Sequence, residues 1–288
     1  MAVGSTTRAG GHGGPLIESW NGTRWSVAPS PRVPGNSYLA GVSCPAVNAC
    51  VAVGSLTESW NGTRWSIVPN PGADGVLYAV SCAAADACIA VGGALTESWN
   101  GTRWTVVPNP RAGHGDLYAV SCSAADACMA VGSSQYWGGA PVAESWDGTR
   151  WTFQRAGGLE GQGALYGVSC TSAHACMAVG GGLNGNGDYT AIASWDGTGW
   201  SDSPNPSGYD FLNGVSCTTA NTCTAVGDGF AEQWNGTTWT GQTIPSYGND
   251  DNLAGVSCTS ANACTGAGTY LTPAENPRTL IDAGTPTG

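Results

Sequence analysis

The chain has 288 residues, of which 12 are Cys, 13 are Trp and only 10% are charged, with a formal net charge of -11. All 9 basic residues are Arg, and so acidic a balance excludes a phosphate-neutralising nucleic-acid surface and disfavours anionic membranes. No apolar run reaches the roughly 18 residues a membrane helix needs, and the Trp content excludes a disordered chain.

The opening stretch, Met1 to Gly14, lacks the apolar core of an export signal. MAVGS (1–5) recurs at 129–133, directly after Cys128, so the chain is expected to begin in mid-repeat, as a mature fragment whose export signal lies elsewhere. ESWNGTRW follows at 18–25 and returns at 58–65 and 97–104, then as ESWDGTRW at 144–151, ASWDGTGW at 193–200 and EQWNGTTW at 232–239. The first Trp of each octet falls at 20, 60, 99, 146, 195 and 234. Interleaved at the same rhythm are six C-x5-C pairs: Cys44/Cys50, Cys82/Cys88, Cys122/Cys128, Cys170/Cys176, Cys217/Cys223 and Cys258/Cys264. No Cys is left over and no second pair or recurring His accompanies any of them, so disulfides are expected rather than zinc sites, and with them an oxidising, extracellular location.

One repeat holds four strand-like pieces, LYAVSC (77–82), ACIAVG (87–92), LTESW (95–99) and TRWTVV (102–107). Asn-Gly or Asp-Gly separates the third from the fourth, the strongest short hairpin signal. Four antiparallel strands every forty-odd residues make one propeller blade. The sequence therefore predicts an all-β fold, a six-bladed β-propeller of four-stranded antiparallel blades in a single domain, 1–288. Five blades are expected at 37–71, 77–110, 117–155, 165–206 and 212–245. The sixth is expected to be closed by N-terminal strands (1–31) pairing with C-terminal strands (253–284), as a monomeric ring. TLIDAGT (279–285) resembles a worn copy of PLIESW and competes with residues 15–20 for one slot or is a loose tail.

With a two-residue Asn-Gly turn, Glu18, Trp20 and Trp25 share one strand face. Rings there would fill the wedge between blades, and the carboxylate could accept an indole N–H.

The pattern GVSC…AC.AVG…ESWNGT.W resembles the Cys- and Trp-containing repeats of secreted actinobacterial proteins over nearly the whole chain, a likeness that implies no activity. ASWDGTGW is similar to the hairpin of six-bladed fucose-binding lectins, where a Trp-Asp-Gly-x-Gly-Trp stretch follows a Glu and sugar stacks on a Trp between blades. That resemblance implies a stacking role for Trp25, Trp65, Trp104, Trp151, Trp200 and Trp239. The chain departs from the lectin pattern in two ways. Glu18, Glu58, Glu97 and Glu144 precede the Trp by two positions instead of three, and the second strand lacks the lectin Arg.

The segments between the second and third strands vary most, with long versions at 4–18, 132–144 and 180–193. Function tends to sit on such insertions. Tyr136 and Trp137 are aromatics without counterparts in other repeats, able to stack on a sugar or anchor a protein, and Tyr189 is a third such ring. Asn184, Asn186 and Asp188 alternate in a manner similar to a calcium loop, so Ca2+ is the one cofactor to consider. His12, His114 and His174 fall in unrelated loops, the GVSC serines have no partner in view, and no catalytic or nucleotide-binding motif is present.

These features point first to a secreted, non-catalytic recognition module, carbohydrate-binding through one loop face or inter-blade Trp pockets. The alternative is a structural or protein-interaction propeller at the cell surface, and a propeller-type glycoside hydrolase is a third reading. The partners expected are a glycan or a surface or secreted protein.

Overall fold

Each repeat folds into its own antiparallel sheet. The structure, a computed structural model, describes residues 1–7, 13–33, 35–72, 75–110, 114–135, 139–155, 162–184, 187–203, 211–242, 244–245, 248–273 and 277–282. Among these residues there are seven sheets, five of four strands and two of three. The first contains β1 (Ala2–Thr7), β2 (Gly13–Trp20) and β3 (Trp25–Val27). The second contains β4 (Leu39–Ala46), β5 (Ala49–Gly54), β6 (Thr57–Trp60) and β7 (Trp65–Val68). The third holds β8 (Leu77–Ala84), β9 (Ala87–Gly92), β10 (Thr96–Trp99) and β11 (Trp104–Val106). The fourth holds β12 (Gly115–Ala124), β13 (Ala127–Ser134), β14 (Pro141–Trp146) and β15 (Trp151–Gln154). The fifth comprises β16 (Gln162–Ser172), β17 (Ala175–Asn184), β18 (Gly187–Trp195) and β19 (Trp200–Asp202). The sixth comprises β20 (Leu212–Thr219), β21 (Thr222–Gly227), β22 (Ala231–Trp234) and β23 (Trp239–Gln242), and the seventh β24 (Asn249–Ser260), β25 (Ala263–Leu271) and β26 (Pro277–Asp282).

This corrects the six-bladed expectation. Residues 2–7 do not wait for a partner from the other end of the chain: they pair with β2, from Ala2↔Glu18 to Thr7↔Gly13, as a second-strand copy. Residues 277–282 likewise pair with β25 as a third strand, Gly266↔Asp282 to Leu271↔Pro277. Among the described residues no sheet contains strands from both ends of the chain. The first sheet carries a Trp octet and no Cys pair and the last a Cys pair and no octet, so counting either feature gives one fewer than the number of sheets. The insertions are corrected as well. At 180–193 the segment extends a strand pair, with Gly180↔Ala191 through Asn184↔Gly187 in register.

Where the second strand is covered on both faces it is apolar, as in β5, where Cys50, Val51, Ala52 and Val53 are all buried. The chain divides into two compact units, Met1–Cys128 with Trp146–Thr152, and Met129–Ser145 with Phe153–Gly288. In the first, Ile17 packs with Leu39, Ala52 and Trp65, and Val51 and Val53 pack with Leu77, Ala90 and Trp104. In the second, Met177, Val179 and Ile192 pack with Leu212, Ala225 and Trp239, and Val226 packs with Leu253 and Leu280. The core of each unit thus lies between successive sheets.

The cysteines pair as expected, Cys44 with Cys50, Cys82 with Cys88, Cys122 with Cys128, Cys170 with Cys176, Cys217 with Cys223 and Cys258 with Cys264. Each bridge closes the turn between first and second strands. The second cysteine of a pair is also a core residue in most sheets. Cys88, Cys128, Cys176 and Cys223 are buried in the covered second strand, and Cys264 is half-buried. Sγ of Cys88, Cys176, Cys223 and Cys264 lies 3.8 to 3.9 Å from the carbonyls of Ala84, Ser172, Thr219 and Ser260, four residues back. A bridged sulfur carries no proton to donate, so these are packing contacts inside the closed turn. Thr224 Oγ1, 3.4 Å from Cys264 Sγ, does carry a proton and can donate to that sulfur from the sixth sheet to the seventh.

Two further devices recur. The glycine ending the second strand lies under the start of the first: a Cβ on Gly54 would strike the Tyr38 carbonyl, and one on Gly92 the Val76 carbonyl. The GVSC-type serine reaches across sheets. Ser43 Oγ accepts the Cys82 amide at 3.0 Å, and Ser81 Oγ the Cys122 amide at 2.9 Å. In the second unit Ser169 Oγ accepts from Cys217 and Ser216 Oγ from Cys258. These serines, which look partnerless in the sequence, are stitches between neighbours.

Candidate functional site

The Trp octet makes a four-residue loop rather than a two-residue turn. Trp20 lies opposite Trp25, Trp60 opposite Trp65, and Trp99 opposite Trp104. Only the glycine takes a positive φ, +97° at Gly22. The residue before it acts through its side chain: Asn21 Oδ1 accepts from the Thr23 amide, the Thr23 hydroxyl and the Arg24 amide, each at 2.9 Å. Asp147 does the same, and the Thr149 hydroxyl, with the Arg150 and Thr149 amides, pulls its carboxyl down to about 2. Either Asn or Asp supplies the oxygen the loop needs.

The paired rings are 5.4 to 5.8 Å apart at their centroids. The first indole of a pair donates to a carbonyl inside the disulfide loop of its own sheet: Trp60 to Val47, Trp99 to Ala85, Trp146 to Ala125 and Trp195 to Ala173, at 3.1 to 3.2 Å. The second ring is core. Trp65, Trp104 and Trp151 are 4% exposed, Trp200 6% and Trp239 1%, while Trp25 is half-buried. The five buried rings offer a sugar no open face.

Glu58, Glu97, Glu144 and Glu232 are fully buried. The partners of the first two are not indoles. Ser30 donates to Glu58 Oε1 at 2.7 Å, and the Gly72 amide to Glu97 Oε1 at 2.9 Å. In both cases the donor lies on the segment leaving the preceding sheet. Burial pushes both carboxyls above the usual range, opposed by the hydrogen bond each accepts.

Of the insertion-borne candidates, Tyr136, Trp137 and Asn186 lie outside the described residues, as do the side chains of Asn184 and Asp188. Tyr189 is half-buried, its hydroxyl enclosed without a hydrogen-bond partner among the described residues. Burial, then Asp202, raises that phenol above its ordinary value. His114 and His174 stand in different units and His12 lies outside the described residues. Among the described residues no three acidic, His or Cys side chains group as a metal site. An open cleft of about 510 Å³ lies at Asp228, Ile244, Pro245 and Asp250 to Asn252, where Asn213 and Asn252 both donate to Asp228.

The exposed aromatic surface is elsewhere. In the first unit Tyr38 is 39% and Tyr78 36% exposed, and Tyr118 is half-exposed. Tyr38 directly precedes β4, Tyr78 is the second residue of β8, and Tyr118 lies in the first half of β12, so all three sit near the starts of successive first strands. The β8–β9 register slips between Leu77 and Ala79, so Tyr78 is the extra residue of a bulge. Tyr118 holds the matching place in the repeat on β12, and its ring centroid is 6.1 Å from that of Tyr78, inclined at 42°. Tyr38 is anchored through its backbone, its amide donating to Ser55 Oγ and its carbonyl accepting the Ser55 amide. Burial, then Asp116, Tyr38 and Tyr118, raise the Tyr78 hydroxyl above the usual tyrosine value, and Asp116 lies two positions before Tyr118 on β12. The matching Tyr166 of the second unit is 37% exposed. Sequence reasoning passed over this row by treating LYAVSC as plain strand. The recurrence of Tyr directly after Leu at 78, 118 and 166 was the available signal, whereas Tyr38 precedes Leu39 and carries no such mark.

No protein-family model matches the chain, and no curated protein matches it. Solved structures do. "YCF48 bound to D1 peptide" is 16% identical over 88% of this chain and 82% of that one, with a TM-score of 0.63. "Structure of U3-55K" is 10% identical over 94% and 88%, with a TM-score of 0.68. "Crystal structure of RRP9 WD40 repeats" is 10% identical over 94% and 87%, also at 0.68. The fold is a β-propeller. At such identities the likeness concerns the fold alone, and WD40 repeats are four-stranded blades of the kind seen in this propeller.

Proposed function

We propose that this propeller is a non-catalytic recognition module that holds a polypeptide on the tyrosine row Tyr38–Tyr78–Tyr118. The observation that carries the reading is the exposure of these rings on a frame otherwise fastened by disulfides and serine stitches. Exposed aromatic clusters on rigid supports are what protein interfaces use as anchors. A propeller of the same fold, YCF48, has been seen bound to a peptide. The carbohydrate reading rested on one loop face or on inter-blade Trp pockets; of these rings all but the half-buried Trp25 are core, and the loop-face residues Tyr136 and Trp137 lie outside the described residues. Six disulfides suit an oxidising compartment, where we place its activity.

Panning a random-peptide phage library on the disulfide-intact protein, beside a glycan array, tests this. Enriched peptides that bind the native protein and not the folded Tyr38→Ala/Tyr78→Ala/Tyr118→Ala variant support it. Glycan hits without peptides, or peptides indifferent to the three substitutions, overturn it.

A further inference from the structure

The tyrosine row has a chemical preference. Its rings present π faces, which carry partial negative charge. Asp116 lies on β12 two positions before Tyr118, and the Tyr78 and Tyr118 rings diverge at 42° rather than stack flat. A guanidinium is planar, weakly hydrated, attracted to an aromatic face within about 6 Å, and able to pair with a carboxylate while it stacks. The chain as a whole is acidic, at -11, and contains no Lys. The hairpin arginines of the same unit, Arg24, Arg64, Arg103 and Arg150, belong to the turns beside the disulfide loops, at the other end of the strands from the tyrosines, while the exposed Arg32 lies in the segment between β3 and β4.

We infer that the row formed by Tyr38, Tyr78, Tyr118 and Asp116 is a receptor for an arginine-bearing polypeptide segment, the guanidinium lying against the Tyr78 and Tyr118 rings and paired with Asp116. This rests on the polypeptide reading above and names the chemistry of the partner. A glycan would gain from the rings and nothing from the carboxylate. An acidic or neutral segment would meet the carboxylate without compensation.

The test is fluorescence anisotropy at pH 7.5 with a short, end-blocked, labelled peptide of alternating arginine and glycine, against the same peptide with citrulline, which keeps the shape and removes the charge. The native protein is expected to bind the arginine peptide about tenfold more tightly, as expected for a desolvated cation–π contact plus a carboxylate. Asp116→Asn and, separately, Tyr78→Ala/Tyr118→Ala are each expected to weaken it about three- to tenfold. Asp126→Asn, which removes the same charge from the exposed disulfide loop at the far end of the strand, is expected to stay within about twofold. Equal binding of the citrulline peptide, or equal weakening by Asp126→Asn and Asp116→Asn, overturns the inference. If panning selects neutral peptides whose binding still depends on the tyrosines, the polypeptide reading stands and the arginine preference falls. If neither peptide binds and panning recovers nothing, both fall.

Discussion

Trp99 donates its indole N–H to the Ala85 carbonyl at 3.2 Å, tying the Trp hairpin of the third sheet to the disulfide loop of that same sheet. Both rings belong to the same core, but Trp99, 7% exposed, also fastens the loop, while Trp104, 4% exposed, packs there with Val51 and Val53 of the neighbouring sheet. Trp104→Ala is expected to cost about 3–5 kcal/mol. Trp20→Ala, which truncates a ring 49% exposed, is expected to cost under about 1 kcal/mol. Urea denaturation of the two variants side by side checks the difference, and equal losses would contradict the assignment.

The serine stitches make a second expectation. Ser81→Ala leaves the Cys122 amide without its acceptor, a loss of about 1–2 kcal/mol. Ser81→Thr keeps the oxygen and should recover part of it. Amide hydrogen exchange at Cys122 should quicken in the alanine variant and much less in the threonine one.

The buried carboxylates set the pH response. Glu58 and Glu97 bind protons more tightly folded than unfolded, so their contribution favours the fold below the ordinary carboxylate range and is lost as pH rises through their raised folded values. Asp147, pulled down to about 2, runs oppositely: it adds stability above about 4, and that part is lost as pH falls toward 2. Glu97→Gln keeps an oxygen for the Gly72 amide and removes the buried charge. Its melting temperature is expected to match or exceed the native value at pH 7.5 and to fall below it in relative terms at pH 4. A lower melting temperature at pH 7.5 and no pH dependence would refute this.

Gly92→Ala and Gly255→Ala form a further matched pair. The first drives a Cβ into the Val76 carbonyl, whereas nothing lies within 4 Å of a Cβ at Gly255. The first should cost more than about 2 kcal/mol and the second less than about 1 kcal/mol, read from chemical melts.

The repeat, the strand pieces, the Cys pairing and the shared face of Glu and Trp were legible because each is written several times at a fixed spacing. The number of sheets was not, because Ala2–Thr7 and Pro277–Asp282 carry neither the Cys nor the Trp mark and resemble only the middles of other repeats. The turn was misjudged because Asn21 acts through its side chain, which lengthens the loop by two residues while leaving the Asn-Gly signal intact. The tyrosine row was hidden because exposure at Tyr78 depends on a bulge, and a one-residue slip in pairing leaves no trace in a strand's apolar pattern. The burial of Glu58 was hidden too, since its partner Ser30 lies 28 positions away in an unpatterned segment.

Because Ser43 serves Cys82 and Ser81 serves Cys122, the third sheet carries half of a clasp for its successor and half for its predecessor, as Ser169, Cys217, Ser216 and Cys258 make the sixth do. A segment of one period, copied or excised from any starting point, therefore leaves matching halves at the new junction. A gene encoding such an array can gain or lose members by unequal recombination at any phase and still specify joined neighbours, which frees the rim segments to diverge while the joints stay the same.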